Sequence, residues 1–123
     1  MIKGIGIDSV EVARMEKNLT NARFMERVFT AMERELIGND GHSVERASGN
    51  FAVKEAVGKA LGCGMAGCPL DCVETLRDEQ GAPMIHVDGK AQERFAALGV
   101  CKAWVSITHT GGIATAFVVL EGD

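Results

Sequence analysis

The sequence predicts an α+β fold, a single small domain spanning residues 1–123 in which an antiparallel sheet packs with helices. Three observations carry that prediction. Ala103 to Thr108 and Ile113 to Leu120 are rich in β-branched residues and flank His109-Thr110-Gly111-Gly112, a hairpin signal. Cys72 to Arg77 and Met84 to Val87 form a second strand-like pair, joined by Asp78-Glu79-Gln80-Gly81-Ala82-Pro83, whose glycine and proline mark a turn. The longest helical stretch, about Ser43 to Leu61, precedes both pairs. Strands joined by hairpins pair antiparallel, which separates this pattern from a parallel α/β one.

The elements follow in order. Ile2 to Ile7 reads as a short glycine-containing strand with Asp8 at its C-terminal end. Asp8 or Ser9 would then cap a helix over Val10 to Asn18. Thr30-Ala31-Met32-Glu33 has the capping-box pattern and opens another short helix, closed near Gly38. The Ser43–Leu61 stretch ends at Gly62 as its C′ residue. Gly49 inside it costs about 1 kcal/mol relative to alanine, so the stretch reads either as one helix or as two, the second capped by Asn50. Val53, Val57, Ala60 and Leu61 make an apolar face, with Phe51, Glu55, Lys59 and Gly62 on a neighbouring one. Lys90 to Leu98 is a short helix stopped by Gly99.

Composition narrows the function classes. A domain of 123 residues buries only about two-thirds of its unfolded surface, so association would enlarge a modest core. Net charge is −4 with a pI near 5.4, which argues against a dedicated nucleic-acid binder. Residues 1–60 hold 9 Lys/Arg against 9 Asp/Glu, and residues 61–123 hold 4 against 8. Within the first part Arg14, Lys17, Arg23 and Arg27 cluster, opposed locally by Glu16 and Glu26. Such a stretch is either a solvated helix face or a surface that steers an acidic partner. No apolar run approaches the roughly 18 residues of a membrane span, and Met1-Ile2-Lys3-Gly4 lacks a signal peptide's apolar core. A cytoplasmic protein with reduced thiols is expected. Cys63, Cys68, Cys72 and Cys101 match no zinc-site spacing.

Glu55 and Lys59 are an i, i+4 pair, and the plain reading is a surface salt bridge worth a few tenths of a kcal/mol. They stand, however, on the otherwise small and apolar run Phe51-Ala52-Val53-Lys54-Glu55-Ala56-Val57-Gly58-Lys59-Ala60. Small residues admit a ligand closely, so the face could offer a carboxylate to a metal and an ammonium to a phosphate. Magnesium is usually held by one or two carboxylates plus phosphates and waters, and Asp8 could supply the second carboxylate. Gly62-Cys63-Gly64-Met65-Ala66-Gly67 satisfies G-x-G-x-x-G but ends a helix instead of following a strand, so it is no dinucleotide fingerprint. Ser106 with His109 lacks an orienting third residue and is no hydrolase pair. His42 and His86 have no motif context.

Three segments resemble one family. Gly4-Ile5-Gly6-Ile7-Asp8-Ser9-Val10 is similar to the G-[IL]-G-x-D-[IV] opening of holo-acyl-carrier-protein synthases, the small type of 4'-phosphopantetheinyl transferase. Phe51-Ala52-Val53-Lys54-Glu55-Ala56 with Lys59-Ala60 is similar to their F-A-x-K-E-A-x-x-K-A helix, and Ser106-Ile107-Thr108-His109-Thr110 with Ala114 to Glu121 to their closing hairpin. Order, separations and length agree along the whole chain. Two departures stand out: Asn50 where family members often have arginine, and Leu61-Gly62-Cys63-Gly64 where they often have F-G-T-G.

The resemblance implies a phosphopantetheinyl-transferase-like fold and transfer of the 4'-phosphopantetheine group of coenzyme A to a serine of apo acyl carrier protein, for fatty acid biosynthesis. It implies Mg²⁺ held by Asp8 and Glu55, and phosphate contacts from Lys59. Lys54, Gly62, His109 and Thr110 join Lys59 as expected coenzyme A contacts. Arg14, Arg23 and Arg27 are implied as the docking surface for the carrier, and a homotrimer as the assembly. The general base stays open between Glu55 and a metal-held water. Two other readings stand beside this one, a non-catalytic coenzyme A or carrier-binding subunit and a transferase for a different carrier, such as one of polyketide synthesis.

Overall fold

A computed structural model describes residues 1–123, with all side chains save those at positions 65 and 66. The chain runs β1 (Ile2–Glu11), α1 (Val12–Glu16), a 3-10 turn (Lys17–Thr20), α2 (Ala22–Val28), α3 (Ala31–Ile37), α4 (Ser43–Leu61) and α5 (Gly64–Gly67). A second 3-10 turn (Leu70–Cys72) leads to β2 (Val73–Arg77), β3 (Pro83–Val87), α6 (Gly89–Leu98), β4 (Val100–Thr110) and β5 (Ile113–Gly122). The strands form a three-stranded sheet in the order β1-β5-β4 and a two-stranded sheet β2-β3, both antiparallel. The α+β class is as predicted. No helix among the described residues is long and apolar enough to cross a membrane.

Helix α4 is the axis of the molecule, rich in small residues and buried along most of its length. Ala52, Val53, Ala56, Val57, Ala60 and Leu61 pack on Ala116, Val118 and Leu120 of the central strand. Toward α1, α2 and α3 a second cluster gathers Met15, Val28, Phe29, Ile37 and Ala47. The approach of β1 to α4 is set by two glycines. A Cβ on Gly4 would lie 2.1 Å from the Ala60 carbonyl oxygen, and one on Gly6 1.9 Å from that of Ala56. Only glycine permits backbone contact this close.

Several boundaries differ from the sequence expectation. β1 does not stop before Asp8 but continues to Glu11, because Asp8, Ser9 and Val10 pair with Ala116, Thr115 and Ala114 of β5. Neither Asp8 nor Ser9 caps a helix: Asp8 is engaged by Lys59, and Ser9 Oγ lies 2.9 Å from Thr115 Oγ1 across the sheet. The first helix is correspondingly short and tightens into a 3-10 turn. Helix α2 was not predicted, although Asn21 is a good N-cap and its side chain accepts from Phe24 N at 3.1 Å. The Thr30 capping box is present in both halves.

Gly49 does not split α4. A Cβ there would come within 3.3 Å of His109 Nε2 and Ile107 Cγ2, so the glycine makes room for β4. Asn50 caps nothing and reaches Glu33 and the Thr75 carbonyl instead. His109 and Thr110 belong to β4 and not to the turn. Thr110 pairs with Ile113, leaving Gly111 and Gly112 as a two-residue hairpin loop with φ of 59° and 76°.

Candidate active site

The alternation of β1 places Gly4, Gly6 and Asp8 on one face, the face against α4. Because the glycines let helix and strand touch, the next residue on that face, Asp8, arrives beside the last two turns of α4. There Lys59 Nζ donates to Asp8 Oδ1 at 3.1 Å and to the Ile7 carbonyl at 3.0 Å. The Lys59 side chain remains more than half exposed, so its ammonium can exchange partners at little energetic cost.

Asp8 and Glu55 line one cavity of about 320 Å³, together with Arg14, Met15, Asn18, Phe24 and Phe51. Burial raises the Glu55 carboxyl above its ordinary value, the Asp8 carboxylate raises it further, and Lys59 pulls the other way. A carboxyl so raised, with a second carboxylate and one ammonium beside it, forms a site that a divalent cation would relieve. Among the described residues no group of three or more His, Cys, Asp or Glu could hold a metal. Two carboxylates alone fit Mg²⁺, which takes its remaining oxygens from phosphates and water.

The other predicted residues divide. Arg14 is exposed and shares the Asp8–Glu55 cavity. Arg23 and Arg27, also exposed, line an adjoining hollow of about 530 Å³ that shares Phe24 and Phe51 with the first. Within one chain His109 and Thr110 stand apart, in a shallow hollow of about 260 Å³ at the β4–β5 turn, where His109 Nε2 donates to the Glu45 carbonyl at 3.0 Å. Gly62 ends α4 in the left-handed conformation with φ of 73°, and a Cβ there would meet nothing within 4 Å.

Lys54 is a correction. It was expected to contact coenzyme A, but it is 2% exposed and its ammonium points inward. Nζ donates to Glu33 Oε1 at 2.6 Å, to the Leu70 carbonyl at 2.8 Å and to the Val73 carbonyl. Glu33 in turn accepts from Thr30 N, Asn50 Nδ2 and Thr75 N. Lys54 therefore ties α4 to α3 and β2 and cannot reach a ligand. Sequence reasoning saw Glu33 as a capping-box residue; nothing local signals its second partner, 21 positions away. Phe24, which joins the two hollows, was also missed, because α2 was.

With this geometry in hand, comparison is informative. The model of the 4'-phosphopantetheinyl transferase superfamily matches residues 4–118. The chain is 42% identical over 124 residues to a holo-[acyl-carrier-protein] synthase of Geobacter metallireducens, covering 98% of each chain. It is 41% identical over 122 residues to that of Clostridium botulinum, again covering 98% of each. Among solved structures, the Neisseria meningitidis holo-[acyl-carrier-protein] synthase superposes with a TM-score of 0.88 at 27% identity, covering 98% of this chain and 99% of that one. The Bacillus anthracis enzyme in complex with CoA (3',5'-ADP) gives 0.83 at 34% identity, covering 100% and 99%. The paired carboxylates, the helix that carries one of them and these matches agree, and the chain belongs to the 4'-phosphopantetheinyl transferase superfamily.

Proposed function

We propose that the chain is a holo-[acyl-carrier-protein] synthase, which moves the 4'-phosphopantetheine group of coenzyme A onto a serine of apo acyl carrier protein. The observation that carries this reading is the convergence of Asp8, Glu55 and Lys59 in a chain of this family. In the transfer, a bond forms between the serine Oγ and the pantetheine-side phosphorus. The bond from that phosphorus to the bridging oxygen breaks, 3',5'-ADP leaves with the electron pair, and the serine proton is released.

The chain's residues contribute positioning and charge. Asp8 and Glu55 would hold Mg²⁺, which when bound sets positive charge against the pyrophosphate oxygens. Lys59, exposed and held by Asp8 and the Ile7 carbonyl, turns its ammonium to the phosphates. Gly62 gives the ligand close access to the backbone, and His109 with Thr110 offers an imidazole and a hydroxyl to a phosphate. Arg14, Arg23 and Arg27 present guanidinium groups around the hollows joined by Phe24 and Phe51, a surface suited to an acidic carrier helix. The reaction serves fatty acid biosynthesis in the cytoplasm, a setting consistent with four free thiols.

A homotrimer goes with this reading. The sheet face turned away from α4 leaves Ile5 61%, Ile7 56%, Trp104 51% and Phe117 44% exposed. They lie together because Ile7 pairs with Phe117, and Val119 stands between Ile5 and Trp104. A continuous apolar sheet face of this kind is covered in most proteins. Incubating the chain with coenzyme A, Mg²⁺ and apo acyl carrier protein and weighing the carrier by mass spectrometry tests the function. The carrier should gain the mass of one phosphopantetheine group; an unchanged carrier would refute the assignment.

A further inference from the structure

The hollow of about 530 Å³ that holds Arg23 and Arg27 has walls from three separate elements. Phe24 comes from α2, Phe51 from α4, and Leu70 with Asp71 from the 3-10 turn Leu70–Cys72. That turn is the weakest of the three. None of its residues is fully buried, and a 3-10 turn has poorer hydrogen-bond geometry than an α-helix. Its position must be set from outside.

The buried Lys54 ammonium is placed to set it. Nζ donates to the Leu70 carbonyl at 2.8 Å and to the Val73 carbonyl, so it grips the turn at its start and just past its end. The remaining donor of the ammonium goes to Glu33 Oε1 at 2.6 Å. The same Nζ lies 5.5 Å from the centroid of the Phe29 ring, within reach of cation–π attraction. Phe29 meets Phe24 edge to face with centroids 6.4 Å apart, and Phe24 stacks on Phe51 at 6.4 Å. Phe51 itself stands one turn before Lys54 on α4. Directly or through one ring, Lys54 therefore supports every wall of a hollow that it does not line.

We propose that Lys54 is a positioning residue for the carrier protein: without touching the carrier, its ammonium holds the Leu70–Cys72 turn and the Phe29–Phe24–Phe51 rings in the shape on which the carrier docks. This inference rests on the carrier-docking reading given above and adds the buried side chain through which that surface is held. A surface that is already ordered binds more tightly than one that the partner must order, because immobilising side chains subtracts from affinity. The exposed arginines govern encounter and its salt dependence. The set of the apolar walls instead governs how long the complex lasts. Loss of Lys54 should thus weaken carrier binding without altering its response to salt.

Position and stability are separated by the double variant Glu33→Gln with Lys54→Met. Lys54→Met alone leaves the Glu33 charge buried and unpaired, whereas the double variant removes both charges and still leaves the turn without its anchor. Transfer from coenzyme A to apo acyl carrier protein is followed by carrier mass, well below the Tm of each variant. In the double variant KM for the carrier should rise about tenfold, while kcat and KM for coenzyme A move by less than about twofold. The salt dependence of kcat/KM should keep its wild-type slope. A merely structural role predicts instead that the carrier KM returns to wild type once the unpaired charge is gone. A wild-type carrier KM in the double variant, or an equal rise in KM for coenzyme A, overturns the proposal. A double variant without a native circular dichroism spectrum also overturns it, since the pair would then carry the fold and not the hollow. An inactive wild-type chain would sink the proposed reaction as well; an active one whose double variant keeps its carrier KM sinks the positioning role alone.

Discussion

Replacing Lys54 with methionine keeps the length of the side-chain stem in α4 and removes its ammonium. The Glu33 carboxylate is then left in a fully buried position with three N–H donors but no counter-charge, and the Leu70 and Val73 carbonyls lose a donor. Breaking a buried ion pair by deleting one partner costs about 3–5 kcal/mol. Against a total stability of about 5–15 kcal/mol, that is a large fraction. For a domain of this size it corresponds to a drop in Tm of about 10–20 °C. Removing both charges in Glu33→Gln with Lys54→Met should recover much of the loss, since no unpaired charge remains. The pH dependence has a definite sign. Burial raises the Glu33 carboxyl, with the Lys54 charge opposing, so deleting Lys54 raises it further. A raised acid binds its proton in the folded state at pH values where the unfolded chain has released it. Stability is therefore lost as pH rises from the ordinary carboxylate value through the folded one. The deficit of Lys54→Met should accordingly grow as pH rises above the ordinary carboxylate range. Urea denaturation followed by circular dichroism, at fixed protein concentration, measures all four members of the cycle. A Lys54→Met variant within about 1 kcal/mol of wild type, or a double variant as unstable as the sum of the singles, would refute the reasoning.

Three further predictions concern function. Chelation with EDTA should stop transfer and Mg²⁺ or Mn²⁺ restore it, both being oxygen-seeking cations suited to Asp8 and Glu55; full activity after exhaustive metal removal would contradict a metal site there. Arg14→Glu should raise KM for the carrier by about fivefold and flatten the salt dependence of the rate, as expected of an exposed docking charge. An equal effect on coenzyme A binding would instead assign Arg14, which shares the carboxylate cavity, to the nucleotide site. Phe117→Glu should shift the assembly toward monomer in analytical ultracentrifugation by charging the exposed sheet face; an unaltered assembly would place the interface elsewhere.

The sequence made legible what depends on local chemistry. The Thr30 capping box, the Gly62 and Gly99 helix ends and the Gly111-Gly112 turn each sit where local rules put them. The family resemblance, more than spacing, singled out Asp8, Glu55 and Lys59; the fold brings Lys59 onto Asp8 and sets Asp8 and Glu55 in one cavity. What escaped was set by tertiary partners. Strand pairing with β5 carries β1 past Asp8, overriding the apparent helix start. Packing against His109 and Ile107 explains a glycine that locally reads as a helix break. Lys54 reads on paper as one more cation beside the motif glutamate. Only the third dimension shows that it faces Glu33, from a segment whose second role leaves no trace in neighbouring residues.

The central claim is that Asp8 and Glu55 together make the site of transfer. The most direct measurement is the rate at which Asp8→Asn and Glu55→Gln load an apo acyl carrier protein from coenzyme A across a Mg²⁺ titration, followed by carrier mass. Each change keeps the shape of the side chain and removes one ligand charge, so the fold should survive. Transfer should fall roughly 10²-fold or more in both variants, with no recovery at high Mg²⁺. A near-normal rate in either variant at saturating Mg²⁺ would remove that carboxylate from the site and contradict the account.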